Sequence, residues 1–298
     1  MKDSIYRYMK VGLVLPMAYP DAQSYPEALL EAVRAVAADP FWTAVELPPI
    51  ADEDVRRVVR SLLASAGVAV VQASQSTVRN EGLDLGGAGV CDRAVERLAR
   101  DLELAAAVGA SVVAVLSGPE APDARRPAAL DATAETLRRL ADAARGLGLD
   151  LVLETSDTNI DKKCLIGPTP RAVELARAVG RDNFGLLLDL SHLPLLGESP
   201  DQAVRAAGPH LRHVHLGSCV LDKGSPAYGD SHPGFTSPGS VNGPDQVREM
   251  FRACFDSGFF GDGRRPFVSV EVKPQAGETS EAVLAAAKRT LNEAWALL

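Results

Sequence analysis

Eight apolar, β-type runs alternate with helical patterns along the chain, and few architectures accept that order. The runs are KVGLVLPM from Lys10, TAVEL from Thr43, VAVVQAS from Val68 and SVVAVLS from Ser111, then DLVLE from Asp150, FGLLLDLS from Phe184, RHVHLG from Arg212 and FVSVEV from Phe267. Between them, segments such as DEDVRRVVRSLLAS and SEAVLAAAKRTLNEAWALL repeat apolar residues at spacings of three and four, with Ser, Thr or Asp before and Gly after several of them. Strand and helix in strict alternation mark parallel βαβ units. A doubly wound open sheet would need a glycine-rich first turn to hold a nucleotide, and Pro16 to Pro20 supplies none. The expected fold is therefore α/β, a (β/α)8 TIM barrel, as one domain over residues 1–298, since such barrels reach about 250 residues undivided.

Composition narrows the function. With 46% hydrophobic and 23% charged residues the chain is globular. A net charge of −8 with no dense Lys/Arg run disfavours nucleic acid as a partner. No stretch approaches about 20 apolar residues, and MKDSIYRYMK lacks a signal-peptide core, so no membrane partner and a cytoplasmic location are expected. Cys91, Cys164, Cys219 and Cys254 form no CxxC pair, which argues against a disulfide framework and a thiolate zinc site.

In a parallel barrel all strand C-termini open on one side. Glu154, Asp189, His215 and Glu271 follow or close runs five to eight and would meet there. Three carboxylates and an imidazole suit one divalent cation, Mn2+ first, with Mg2+, Co2+ or Zn2+ as alternatives. Like charges gathered in a buried mouth are costly without such a cation.

Other residues surround this set. His213 and His215 lie two apart and point to the same side, with His213 one layer deeper. His192, three residues beyond Asp189, lies within reach of a substrate hydroxyl. Asp230 and His232 form an Asp-x-His pair that fits a second metal with His192, a substrate contact or a turn cap. Lys273 would face the same way as Glu271. Lys162 and Lys163 read most simply as solvated, and Glu46 and Gln72 as lining the mouth or stabilising the barrel. Residues 155–168 and 217–242 make long loops after proposed ligand strands, which favours lids.

The pieces VLET at Glu154, LLLDLSH at Asp189 and His192, HVHLG at His215, GDSHPG at Asp230 and His232, and SVEVKP at Glu271 resemble the xylose isomerase-like barrel superfamily. That group contains sugar phosphate isomerases and epimerases, ketose 3-epimerases, inosose dehydratases and zinc apurinic endonucleases. The resemblance to its epimerases implies that Glu154, Asp189, His215 and Glu271 hold one cation, that Glu154 and Glu271 are catalytic, flanking the substrate carbon and moving protons, and that His192 binds a substrate oxygen. Lys273, Asp230 and His232 complete the expected substrate-binding set. The endonucleases use three zinc ions and need two histidines on earlier strands, whereas all five histidines here, His192, His210, His213, His215 and His232, come late.

The resulting expectation is a metal-dependent sugar isomerase or epimerase that abstracts a proton next to the carbonyl of a keto-sugar through a metal-stabilised enolate. The same intermediate could expel a neighbouring group, as in a dehydratase or in the barrel subunit of C-glycoside-deglycosylating lyases acting on 3-oxo-sugars. NIDKKCLIGP, AYGDSHP and RTLNEAWALL carry that narrower resemblance, which brings a small partner subunit into view beside a homo-oligomer.

Overall fold

In the computed structural model, residues 3–87, 91–261 and 263–298 are described. Eight parallel strands run β1 (Lys10–Leu13), β2 (Ala44–Leu47), β3 (Ala69–Ala73), β4 (Ala110–Val115), β5 (Asp150–Glu154), β6 (Phe184–Asp189), β7 (Leu211–Gly217) and β8 (Phe267–Glu271). Their order in the sheet is β1-β8-β7-β6-β5-β4-β3-β2. The two ends meet at a short seam: Val11 N–H donates to Thr43 Oγ1 at 2.9 Å and Thr43 N–H to the Val11 carbonyl at 2.8 Å. The expected barrel is formed.

Helices α1 (Leu15–Ala18), α2 (Pro26–Ala38), α3 (Glu53–Ala66), α4 (Gln75–Asn80), α5 (Cys91–Val108), α6 (Arg126–Gly146), α7 (Thr169–Val179), α8 (Leu193–Leu196), α9 (Pro200–Ala207), α10 (Pro244–Asp256) and α11 (Ser280–Ala296) surround or cap it. Local chemistry sets their ends. Asp52 accepts from Val55 N–H to start α3, and Gly67 at φ 68° closes it. Ser199 and Gln202 form a capping box on α9. The run beginning at Lys10 is strand only to Leu13, because Pro16 has no N–H for a ladder and sits in the first turn of α1 instead.

Alternation divides each strand. Ala44, Val71, Val112, Ala114, Val152, Leu187 and Phe267 pack together inside the barrel, while the larger core lies between strands and helices. Because Val71 faces in, Gln72 faces out, where its amide donates to the Asp101 carbonyl at 2.7 Å and to Ser74 Oγ at 3.1 Å. Of the two roles open to Gln72, the barrel-stabilising one is observed. The C-terminal α11 packs on its own barrel: Trp295 lies 5.7 Å from Phe251 and from Tyr8, ring centre to ring centre, and its indole N–H reaches the Asp3 carbonyl. No helix among the described residues is long and apolar enough to cross a membrane.

Candidate functional site

Strand register brings the acids and imidazole together. Asp189 pairs with His215 and Gly217 with Glu271 across β6, β7 and β8, while Glu154 ends the neighbouring β5. One ligand atom from each of Glu154, Asp189, His215 and Glu271 lies within 4.8 Å of the others, and all four residues are buried. His215 Nδ1 is 2.7 Å from Glu271 Oε2 and 3.9 Å from Glu154 Oε1, so Nδ1 faces the cluster. Nε2 faces the other way, 2.9 Å from Glu46 Oε1. A carboxylate on the far nitrogen fixes the ring and the tautomer of a ligand histidine. Glu46 thus works from inside the barrel, and the same oxygen lies 2.8 Å from His213 Nε2. His213 sits below His215 as expected, its ring stacked on Phe267.

The other acids of the cluster are held too. Ser191 donates its N–H to Asp189 Oδ1 at 2.8 Å and its hydroxyl to Oδ2. Gln75, at the start of α4, donates to Glu154 Oε2 at 3.1 Å. Glu154 Oε1 is buried with no hydrogen-bond partner. An orphaned carboxylate oxygen among two further acids and an imidazole is costly alone, and one divalent cation would satisfy it. The donor set fits such an ion.

The two glutamates are electrostatically unlike. Burial and the Glu271 carboxylate raise the pKa of Glu154. Burial acts the same way on Glu271, but His232 and His215 beside it outweigh that and hold it well below the usual carboxylate range. His215 is pushed down by burial and raised further by Glu46 and Glu271, ending above its ordinary value.

Lys162 corrects the sequence reading. Its side chain is only 11% exposed, and its ammonium is ion-paired with Asp230 Oδ2 rather than solvated. Nζ lies 3.3 Å from His192 Nε2 and 3.4 Å from His232 Nε2. Its placement comes from Asp157, a fully buried carboxylate that accepts four backbone N–H groups: Asn159, Ile160 and Asp161 on Oδ1 at 3.2, 2.6 and 2.9 Å, and Lys162 on Oδ2 at 2.7 Å. Lys163 then turns the chain at φ 51° and stays exposed, as expected. The Asp-x-Asn step in SDTNID was the available signal, because Asp folds short loops back onto its own oxygens.

A cavity of about 380 Å³ opens over the cluster, lined by Glu154, Glu271, Lys162, Asp230, His232 and Lys273 among others. Exposed Arg79 reaches it from the β3 side. Lys273 stands exposed at its edge, its N–H bonded to the His232 carbonyl at 2.7 Å. His192 is fully buried, with Nδ1 on the Thr155 carbonyl at 2.5 Å and Nε2 3.1 Å from Asp230, and is not among the lining residues. Cys164, Cys219 and Cys254 are free and buried; the Cys91 side chain lies outside the described part.

Sequence and structure comparisons place this geometry among known proteins. A stretch of 85 residues is 32% identical to the D-psicose 3-epimerase of Ruminiclostridium cellulolyticum, covering 28% of each protein. An 84-residue stretch is 30% identical to an inosose isomerase of Bacillus velezensis, covering 28% of this chain and 29% of the relative. The matched stretches thus span less than a third of those relatives. A D-tagatose 3-epimerase-like protein superposes with a TM-score of 0.72 at 17% identity, covering 97% of this chain and 98% of that one. The sequence matches the family description "xylose isomerase-like TIM barrel" over residues 31–289, and with eight parallel strands closed around the acid and imidazole cluster, the chain belongs to that family.

Proposed function

We propose that the protein is a divalent-metal-dependent sugar isomerase or epimerase that removes a proton next to the carbonyl of a keto-sugar. The observation that carries this reading is the placement of Glu154 and Glu271 in one cavity wall, each also a member of the four-ligand cluster. The metal, Mn2+ by preference, with Mg2+, Co2+ or Zn2+ as alternatives, would be held by Glu154, Asp189, His215 and Glu271. When bound it supplies Lewis-acid stabilisation to adjacent sugar oxygens.

The chain's own residues provide the rest. Glu154 or Glu271 takes a proton from the substrate carbon and the other returns one, to the neighbouring carbon for isomerisation or to the opposite face for epimerisation. Glu46 holds the His215 ring and Ser191 holds Asp189, which fixes the ligand atoms before substrate arrives. Lys273, Asp230 and His232 present polar groups to the sugar hydroxyls. His192, turned to Asp230 and Lys162, acts on the substrate through them. We place the enzyme in the cytoplasm. The net charge of −8 and the absence of any histidine before His192 weigh against DNA repair.

Incubation of Mn2+-loaded protein with a panel of keto-sugars in D2O, followed by NMR, tests the reading. Deuterium is expected at the carbon beside the carbonyl, with loss of exchange on chelation and in Glu154→Gln. Exchange without epimer or isomer but with a released substituent would convert the assignment to a lyase on 3-oxo-sugars. No exchange with any keto-sugar in protein shown to contain metal overturns the assignment.

A further inference from the structure

The two oxygens of Glu154 have different surroundings, and something must keep them from exchanging places. Oε1 has no hydrogen-bond partner and lies 3.6 Å from His192 Nδ1 and 3.9 Å from His215 Nδ1, on the side of the ligand cluster. Oε2 takes the Gln75 amide at 3.1 Å. The terminal torsion of a glutamate is broad and roughly two-fold, so the side chain does not itself choose between its oxygens. Gln75 makes the choice. Gln75 Oε1 is buried without a partner, so nothing on its far side steadies the amide, and its place must come from the helix that carries it.

That helix, α4, is six residues long, and the side chain of its N-cap Ser74 makes no capping bond. A helix so short does not hold itself. It is held by α5. Asp101 is fully buried, and its Oδ2 accepts from the Thr77 hydroxyl at 2.6 Å in the middle of α4. Oδ1 accepts from Arg97 Nη1 at 2.5 Å, and Arg97 Nε donates at 2.6 Å to Glu81, the C-cap of α4. The Asp101 carbonyl accepts from the Gln72 amide at 2.7 Å, and the same amide donates to Ser74 Oγ at 3.1 Å. One residue of α5 is thus tied to α4 at its start, its middle and its end. Asp101 itself is not among the residues lining the cavity. A buried carboxylate is costly unless its bonds compensate it, and each of these bonds leads to the segment that carries Gln75.

We propose that Asp101 is a positioning residue of the reaction: through Thr77 it sets α4, α4 sets Gln75, and Gln75 keeps Glu154 Oε1 turned to the ligand cluster and Oε2 away from it. The carboxylate plane is thereby fixed before ion or substrate arrives. Misplacing a reacting group by about 1 Å can cost about 10²-fold in rate. The kinetic part of this inference rests on the function proposed above; the clamp on the Gln75 amide does not.

The test couples two side chains through the helix between them. Thr77 and Gln75 are two apart on α4 and do not face each other, so coupling between them reports the helix. Mn2+-loaded wild type, Thr77→Val, Thr77→Ser, Gln75→Leu and Thr77→Val/Gln75→Leu are compared in turnover of the keto-sugar that gives deuterium exchange, with near-UV circular dichroism as the check on folding. Thr77→Val is expected to lower kcat by about 10–100-fold with KM little changed. Thr77→Ser, which keeps the hydroxyl, is expected to restore it, and Thr77→Val to cost nothing further once Gln75 is replaced. Effects of the two substitutions that multiply, or a Thr77→Val enzyme with wild-type kcat, overturn the proposal. A second readout needs no turnover. In metal-free protein labelled with 15N-glutamine, the Gln75 side-chain amide is expected to exchange slowly with solvent in wild type and Thr77→Ser, and fast in Thr77→Val and Asp101→Asn. A Gln75 amide as protected in Thr77→Val as in wild type overturns the proposal. If wild type turns over no keto-sugar, the function proposed above fails, and the amide comparison still decides the clamp.

Discussion

The two halves of the barrel mouth are built from different chemistry. Strands β5, β6 and β8 end in Glu154, Asp189 and Glu271, β7 carries His215 two residues before its end, and the loops that follow β5 and β7 bring Lys162, Asp230 and His232 over them. The ends of β1, β3 and β4 contribute Val14, Ala73 and Leu116 to the same cavity, with neutral Gln75 and exposed Arg79 just beyond β3. Glu46 on β2 is the exception, crossing the barrel interior to reach His215. Charge that is buried and mutually compensated must be placed rigidly, so it lies on strand ends and clamped loops. The other half, free of that demand, is where shape and substituent recognition can vary.

Breaking the charged half should produce the largest effects. Glu154→Gln is expected to lower turnover by about 10²–10⁴-fold, the usual worth of a general acid or base, with the fold intact. Glu271→Ala should lose the ion as well, since it also removes the partner at 2.7 Å from His215. Metal analysis and steady-state kinetics on the same preparations check both; full turnover by Glu154→Gln would remove it from the chemistry.

Asp157→Ala comes next. It strips four backbone N–H groups of their acceptor; Asn159 and Asp161 are exposed and can turn to water, so the cost falls at the lower end of the roughly 1–3 kcal/mol for unpaired donors. Urea unfolding should show a loss of that order, and turnover should fall because Lys162 is no longer aimed, while the number of ions held by the four-ligand cluster stays the same. Equal stability in Asp157→Ala would mean that the loop is positioned by something else.

Glu46→Gln probes the charged link from the quieter half. The amide cannot accept as a carboxylate does, and loss of such a partner lowers metal affinity by about 10–100-fold. A competition titration against a chelator measures this, with the expected change confined to affinity.

These sites differ in how openly the sequence announces them. That Glu154, Asp189, His215 and Glu271 gather at one end of the barrel was legible because each stands at or near the end of a β-type run in a parallel barrel. Gln72 was left with two roles, lining the mouth or stabilising the barrel, and only the inward face of Val71 in the structure turned it to the second. Lys162 was not legible: a lysine pair in a polar loop reads as solvated, and only the Asp157 fold-back, a contact among residues in irregular backbone, turns one of the pair inward. His192 shows the same limit. Its distance from Asp189 in sequence gives reach, whereas the ring's direction depends on the Thr155 carbonyl and on Asp230, from the loops after the two neighbouring strands β5 and β7.

Arg79 offers the finest test of the division between the halves. It is exposed and lines the cavity from the β3 side. Arg79→Ala should therefore leave bound metal unchanged and stability within about 0.5 kcal/mol of wild type, as for surface positions generally. If that half recognises an anionic substituent, the variant should raise KM several-fold for a phosphorylated keto-sugar and leave KM for the unphosphorylated sugar alone, with kcat little changed for either. Equal effects on both sugars would make Arg79 part of the cavity's shape rather than a reader of charge. A fall in kcat instead would show that the uncharged half also aligns the reacting carbon, and the boundary drawn between chemistry and recognition would have to move from the strand ends into the loop after β3.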